Sequence, residues 1–112
     1  MIAEGVWLPV ITPFKNGEID FASYKKLVDH YISKGITGII PLGTTGESPS
    51  VFDYEVESII AKTLEYVNGH VPVFAGIGGN HTDKVVKQVE VARNLGVQGI
   101  LSVSPYYNRP DQ

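Results

Sequence analysis

Two seven-residue segments of this chain, 61 positions apart, follow the same pattern of glycine and apolar residues. Lys34–Ile40 reads KGITGII and Leu95–Leu101 reads LGVQGIL. In both, a glycine stops a segment of helical period and a short apolar run follows, which predicts a helix that leads into a buried strand. The repeat therefore indicates a chain made of successive helix and strand units.

The apolar pattern extends this alternation along the whole chain. Four strands are predicted, at Gly5–Thr12, Gly38–Leu42, Pro72–Ala75 and Gly99–Val103. Three segments of helical period lie between them, from an N-cap at Asp20 to Gly35, from about Phe52 to Asn68-Gly69, and from a cap at Thr82 to Leu95. Their inward faces are predicted to carry Phe21, Tyr24, Leu27, Val28, Tyr31 and Ile32, then Val56, Ile59, Ile60, Leu64 and Val67, then Val85, Val86, Val89, Ala92 and Leu95.

This order of elements predicts an α/β fold with a parallel sheet and crossover helices. The 61-residue spacing spans two units, and eight units of about 30 residues make the roughly 250 residues of a (β/α)8 barrel. We therefore predict the first half of a (β/α)8 TIM barrel, with strands 1 to 4 and helices 1 to 3. Residues 1–112 would be the N-terminal half of one barrel domain whose remainder is absent from this chain. A doubly wound sheet could be complete at this length, but this chain lacks the glycine-rich fingerprint that such a fold carries after its first strand.

Composition excludes several classes of partner. Nine basic residues stand against twelve acidic ones, for a net charge of -3 without runs of like charge, so binding to nucleic acid or to an anionic membrane is not expected. The chain has no cysteine, which excludes disulfides and thiolate sites. Glu4 and the lack of a basic start disfavour a signal peptide, and no apolar run approaches the roughly 20 residues of a membrane span. We expect a cytoplasmic protein.

The segment Gly43–Ser48 (GTTGES) follows the second predicted strand, at the edge where barrel enzymes place their chemistry. Two adjacent hydroxyls and flanking glycines would let threonine side chains and backbone N–H groups approach a small anion such as a carboxylate. The segment is no P-loop, because no Gly-Lys-Ser/Thr sequence ends it. A structural loop whose threonines satisfy backbone groups explains the same residues equally well.

Two further loops follow predicted strands at this edge. Gly76–Asn80 (GIGGN) superficially resembles a dinucleotide loop, but His81 stands where a third glycine is needed, so a tight turn with crowded backbones is favoured. Pro105–Pro110 (PYYNRP) is either an aromatic anchor packed beneath a proline turn or, if it meets Thr44, part of a proton relay.

No metal site is predicted, and none for a cofactor. The three histidines are scattered over a helix, a turn and a helix start, at His30, His70 and His81. Such scatter disfavours metal ligation. Glu47, Asp53 and Glu55 suit partners of a helix dipole better than acid–base work.

Four segments together resemble the dihydrodipicolinate synthase (4-hydroxy-tetrahydrodipicolinate synthase) family: Gly43–Ser48, Pro105–Pro110, Thr12–Phe14 and Pro72–Gly76. The likeness covers the whole chain. N-acetylneuraminate lyases and keto-deoxy sugar acid aldolases share the Gly-Thr/Ser-Thr-Gly loop and the Schiff-base mechanism. The lyases, however, have serine at the position of Thr44 and lack the Tyr-Tyr-Asn-Arg-Pro string. That string makes the synthase family the specific match.

The resemblance implies a class I aldolase that forms a tetramer as a dimer of dimers. A lysine amine would form an imine with pyruvate, the enamine would attack the aldehyde of L-aspartate 4-semialdehyde, and the adduct would cyclise on the diaminopimelate route to lysine. By matching positions, Thr45 would hold the pyruvate carboxylate. Thr44 and Tyr107 would be catalytic members of a Thr-Tyr-Tyr proton relay, with Tyr107 reaching into the neighbouring subunit's site. The second tyrosine, an arginine for the second substrate and the imine lysine would follow Gln112.

The lysines agree with that absence. An imine-forming lysine needs a desolvated amine at a strand end, so that a fraction is neutral near pH 7. Five are predicted on helices, one at a helix exit and one in a polar turn: Lys25, Lys26, Lys62, Lys84, Lys87, Lys34 and Lys15. The chain alone is therefore expected to be inactive. The alternatives are a related sugar acid aldolase or N-acetylneuraminate lyase, and a non-catalytic half-barrel that persists by self-association.

The resemblance also implies how the enzyme responds to lysine. In lysine-inhibited members the effector lies at the dimer interface near Asn80 and Tyr106, both present here. Such members carry alanine, two histidines and glutamate at the positions of Pro49, Asp53, Val56 and Lys84. At Lys84 a cation replaces the carboxylate that would pair with the effector's ammonium. Insensitivity to lysine is predicted.

Overall fold

The structure, a computed structural model, describes residues 3–111. Its strands are β1 (Trp7–Pro9), β2 (Phe14–Lys15), β3 (Glu18–Ile19), β4 (Gly38–Ile40), β5 (Phe74–Gly76) and β6 (Gly99–Leu101). Its α-helices are α1 (Phe21–Ser33), α2 (Asp53–Val67) and α3 (Thr82–Leu95), and two short 3-10 helices cover Thr44–Gly46 and Ser48–Ser50. No helix among these described residues is long and apolar enough to cross a membrane.

Four of the strands form a parallel arrangement in chain order. β1 pairs with β4 and β5 pairs with β6, both in parallel, and a parallel bridge between Ile39 and Val73 joins the two pairs. The order β1-β4-β5-β6 never reverses, as a barrel requires, whereas a doubly wound sheet would need a switch point. β4 is buried throughout, which confirms that both of its faces are covered.

The strands begin at a level where aromatic rings cover glycines. Trp7 lies opposite Gly38 and Phe74 lies opposite Gly99 in the registers of the two strand pairs. The two rings pack against each other, with centroids 4.4 Å apart. A Cβ at Gly99 would lie 2.7 Å from the Phe74 ring, and one at Gly38 would enter the Trp7 ring. The second glycine of each repeated segment, Gly38 or Gly99, is therefore required to make room for an aromatic neighbour.

The strands are shorter than predicted, and one short hairpin was missed. Each barrel strand pairs over three residues, and the third ends at Gly76 rather than Ala75. β2 and β3 form an antiparallel hairpin around Asn16-Gly17, where only a turn was predicted. Lys15 accordingly lies in β2 rather than in the turn itself.

Helix ends and faces follow the predicted pattern with two exceptions. The Asp20 carboxylate accepts hydrogen bonds from Ser23 N–H at 3.0 Å and from the Ser23 hydroxyl at 2.7 Å, and these bonds lower the pKa of Asp20. Thr82 as the cap of α3 is wrong, because His81 takes that place and its Nδ1 accepts from Lys84 N–H at 3.4 Å. Val86 as an inward residue is also wrong. It is 50% exposed, since it lies one residue around the helix from the inward Val85.

Two groups of buried side chains form the core between helices and strands. The first contains Val10, Tyr24, Val28, Ile39, Val67 and Val73. The second contains Leu42, Ile59, Ile60, Ala75, Ile77 and Ala92. The first lies under α1 and α2 and the second under α2 and α3, so α2 contributes to both and couples them.

A buried hydrogen bond fixes α1 against α2. The Thr63 hydroxyl donates to Ile59 O at 2.6 Å, so its oxygen accepts from the Tyr24 hydroxyl at 2.7 Å. Burial raises the pKa of Tyr24 to about 12.

This burial predicts a pH-dependent stability. An unfolded tyrosine ionises near pH 10, so the contribution of Tyr24 is present below about pH 10 and is lost as the pH rises towards about 12. Denaturation of the wild type and of Tyr24→Phe at about pH 9 and pH 11 should show the smaller loss of stability in the variant. Equal losses in both proteins would contradict the assignment.

Candidate active site

The predicted functional loop follows β4 and consists of two 3-10 helices instead of irregular chain. Backbone bonds close the first of them, from Gly46 N–H to Gly43 O and from Glu47 N–H to Thr44 O, both at 3.0 Å. Leu42 and Glu47 flank it in the left-handed region, with φ of 62° and 55°. The chain therefore turns sharply out of the strand before Gly43 and again after Gly46.

Neighbouring strand ends hold this loop on two sides. Gly76 N–H donates to Pro41 O at 2.8 Å, and a Cβ at Gly76 would lie 2.5 Å from Gly43 N and from Leu42 C. On the other side the Thr12 hydroxyl donates to Gly46 O at 2.7 Å. Crowded backbones were predicted for the glycines after the third strand, and Gly76 confirms this.

Thr44 and Thr45 lie exposed on the first 3-10 helix. Among residues 3–111, neither hydroxyl has a hydrogen-bond partner, and the helix has no side-chain cap. The structure therefore gives these threonines no backbone group to satisfy, which counts against a purely structural loop. Both hydroxyls are available to a ligand at the carboxyl ends of the strands.

The segment after β6 is tied to the loop after β5. Asn108 Nδ2–H donates to Asn80 O at 3.0 Å, and Asn108 N–H donates to Tyr106 O at 2.9 Å. Tyr107 has a φ of 69° and is 92% exposed, so it is no aromatic anchor beneath the turn. In the part of the chain described here, its hydroxyl makes no hydrogen bond to Thr44.

A cavity of about 180 Å³ lies beside the loop, between the starts of α2 and α3. All six positions considered for lysine feedback line it: Pro49, Asp53, Val56, Asn80, Lys84 and Tyr106. Lys84 Nζ forms an ion pair with Asp53 Oδ1 at 3.1 Å. The Asp53 carboxylate is thus already paired with a cation of the same chain.

The lysines lie on helices, at a helix end or in the hairpin, and none lies directly at the carboxyl end of a barrel strand. Hydrogen bonds to Asp29 and Glu65 raise the pKa of Lys25 and of Lys62, the opposite of what imine formation needs. The sequence predicted that His30, His70 and His81 bind no metal ion. Within residues 3–111, no three His, Asp or Glu side chains are grouped so that they could hold one. Glu55 Oε1 accepts from Phe52 N–H at 3.0 Å at the start of α2, in keeping with a helix-start role.

Comparison with known proteins places this geometry in a family. The model of the dihydrodipicolinate synthetase family matches residues 3–112. The chain belongs to the dihydrodipicolinate synthetase family. It is 52% identical over 112 residues to 4-hydroxy-tetrahydrodipicolinate synthase 2 of Clostridium acetobutylicum. This match covers 100% of the chain but 39% of that relative.

Solved structures of family members confirm the fold. The synthase of Methylacidiphilum fumariolicum matches with a TM-score of 0.96 and 41% identity, over 98% of this chain and 37% of that one. The synthase of Acinetobacter baumannii, solved with pyruvate, matches with a TM-score of 0.95 and 33% identity, over 98% of this chain and 38% of that one. The chain is thus a partial (β/α)8 barrel, formed by the first four barrel strands, and spans well under half the length of its relatives.

Proposed function

We propose that this chain is the N-terminal half of a (β/α)8 barrel enzyme that condenses pyruvate with L-aspartate 4-semialdehyde. The observation that carries the proposal is the pair of free hydroxyls at Thr44 and Thr45, held at the carboxyl edge of the strands. Family membership gives these residues their context, and the A. baumannii relative was solved with pyruvate. The reaction would be the first committed step of the diaminopimelate route to lysine, in the cytoplasm.

In this proposal the chain supplies binding and proton transfer, without a cofactor. Thr45 holds the pyruvate carboxylate, a task that a hydroxyl and backbone N–H groups can perform as neutral donors. Thr44 and Tyr107 pass protons while the imine and enamine form and react. The lysine amine that attacks the pyruvate carbonyl and expels water comes from the part of the relatives that this chain does not cover.

The exposure of Tyr107 supports an assembly of several subunits. Its side chain is almost fully exposed, as that of a residue that completes a neighbouring site would be. Phe52 and Tyr54 are also exposed and stack on each other, with centroids 5.7 Å apart. We propose a homotetramer built as a dimer of dimers, in which such aromatic surfaces are covered. The comparisons favour neither the sugar acid aldolase and N-acetylneuraminate lyase alternative nor the non-catalytic half-barrel.

The imine gives a direct test. The test needs a complete enzyme. This can be the full-length protein expressed from its gene, or a chimera in which this chain precedes the part of the C. acetobutylicum relative that it does not cover. With pyruvate and borohydride, the complete enzyme should gain one pyruvyl group on a lysine, and the 112-residue chain should gain none. An adduct on Lys15 or any other lysine of this chain would contradict the proposal.

The relay predicts separate kinetic effects for the two threonines. In the complete enzyme, Thr44→Val and Tyr107→Phe should each lower kcat by about 10²-fold to 10⁴-fold, because each removes a proton donor and keeps most of the volume. Thr45→Val should instead raise the KM for pyruvate. Near-normal kcat in both relay variants, measured by steady-state assay, would show that these loops are structural.

Lysine should not inhibit the complete enzyme. In the cavity that would receive it, Lys84 stands where inhibited members carry a carboxylate, and its ammonium is paired with the Asp53 carboxylate, so the effector's ammonium loses both partners. The check is a steady-state assay at saturating pyruvate with millimolar L-lysine. Half-inhibition below about 1 mM would mean that other residues had rebuilt the effector site.

A further inference from the structure

Thr12 is one of two buried polar side chains in the described part of the chain. It lies after β1 and is 5% exposed, and the other is Thr63, between α1 and α2. Its hydroxyl donates to Gly46 O at 2.7 Å, across 34 positions of sequence. Thr12 therefore connects the end of the first strand to the loop that presents Thr44 and Thr45.

This hydrogen bond joins that loop to the segment that follows β1. Within residues 3–111, no other hydrogen bond joins residues 43–46 to another element. Gly46 is buried, and a Cβ on it would lie 3.2 Å from Val10 O and 3.4 Å from Thr12 Oγ1. The loop is thus pressed onto the strand end at Gly46, and the Thr12 hydroxyl satisfies the carbonyl at that point.

We propose that Thr12 is a positioning residue of the pyruvate site, which sets the place of Thr44 and Thr45 through its bond to Gly46. The inference rests on the proposed function for its kinetic consequence, but not for the bond itself. Without the hydroxyl, the Gly46 carbonyl is buried without a partner and the 3-10 helix shifts to reach water. Both threonines move with it, since they lie in the same turn.

Three variants separate positioning from general stability. Thr12→Val keeps the shape and removes the donor, whereas Thr12→Ser keeps the donor. Thr63→Val is the matched control, because it removes the other buried threonine hydroxyl, which bonds to Tyr24 and Ile59 O far along the helices. All three are made in the complete enzyme, and the measurements are the KM for each substrate, kcat and the melting temperature.

The expected result is a selective loss. Thr12→Val should raise the KM for pyruvate about tenfold, lower kcat because Thr44 moves with Thr45, and leave the KM for the aldehyde unchanged. Thr12→Ser should restore both values. Thr63→Val should lower the melting temperature without changing the KM for pyruvate. An unchanged KM for pyruvate in Thr12→Val, or an equal rise in Thr63→Val, would overturn the inference.

Hydrogen exchange provides a readout that does not need turnover. The amides of Gly46 and Glu47 should exchange about tenfold faster in Thr12→Val than in Thr63→Val or the wild type, and equal exchange would overturn the inference. If the wild type shows no turnover but the exchange differs, the proposed function fails and the positioning bond stands. Should Thr12→Val fail to fold, Gly46→Ala replaces it. Its Cβ pushes on the same contact, and an unchanged KM for pyruvate in that variant would count against the inference.

Discussion

The close approach of two backbones at the end of β5 determines where the functional loop begins. Gly76 leaves no space for a side chain beside Leu42 and Gly43, and its N–H donates to Pro41 O at 2.8 Å. β4 and β5 share a single ladder bridge, at Ile39 and Val73, among the described residues. The Ile39 N–H also donates to Pro72 O, at 3.1 Å. Of these connections between the two strand pairs, the contact at Gly76 is the one at the edge of the candidate site.

The helices could be predicted closely because a period of 3.6 residues is sustained over 13 to 15 positions in each. Their ends carry residues whose conformational preferences are strong, such as Asn68 and Gly96, both in the left-handed region. The hairpin β2–β3 was missed because two-residue strands show no alternation. A sequence signal was nevertheless present in the pair Asn16-Gly17. A two-residue hairpin turn favours Asn-Gly because it requires positive φ at both positions, and both residues have it.

The place of the candidate loop followed from topology, but the hydrogen bonding of its threonines did not. Parallel strands bring their carboxyl ends to one edge, so the loop of Thr44 and Thr45 could be assigned to that edge from sequence. Whether those hydroxyls were free or used as caps depended on which backbone groups came near them. Thr12 gave no signal of its bond to Gly46, because that partner is distant in sequence and the hydroxyl is buried only by tertiary packing.

The contacts that shape the loop all lie within this chain, whereas the proposed nucleophile does not. The Thr12 hydroxyl holds the loop from the segment after β1, and the Gly76 N–H holds the end of β4 from β5. Next to the outer strands, Val6 and Val103 are more than half exposed and Leu101 is half exposed. In a barrel of the relatives' length, further strands would pack there. In the proposed enzyme, closure of the barrel would bring the lysine to the site and cover these edges. The geometry of the loop that carries Thr44 and Thr45 does not depend on closure, because the residues that contact it are already in place.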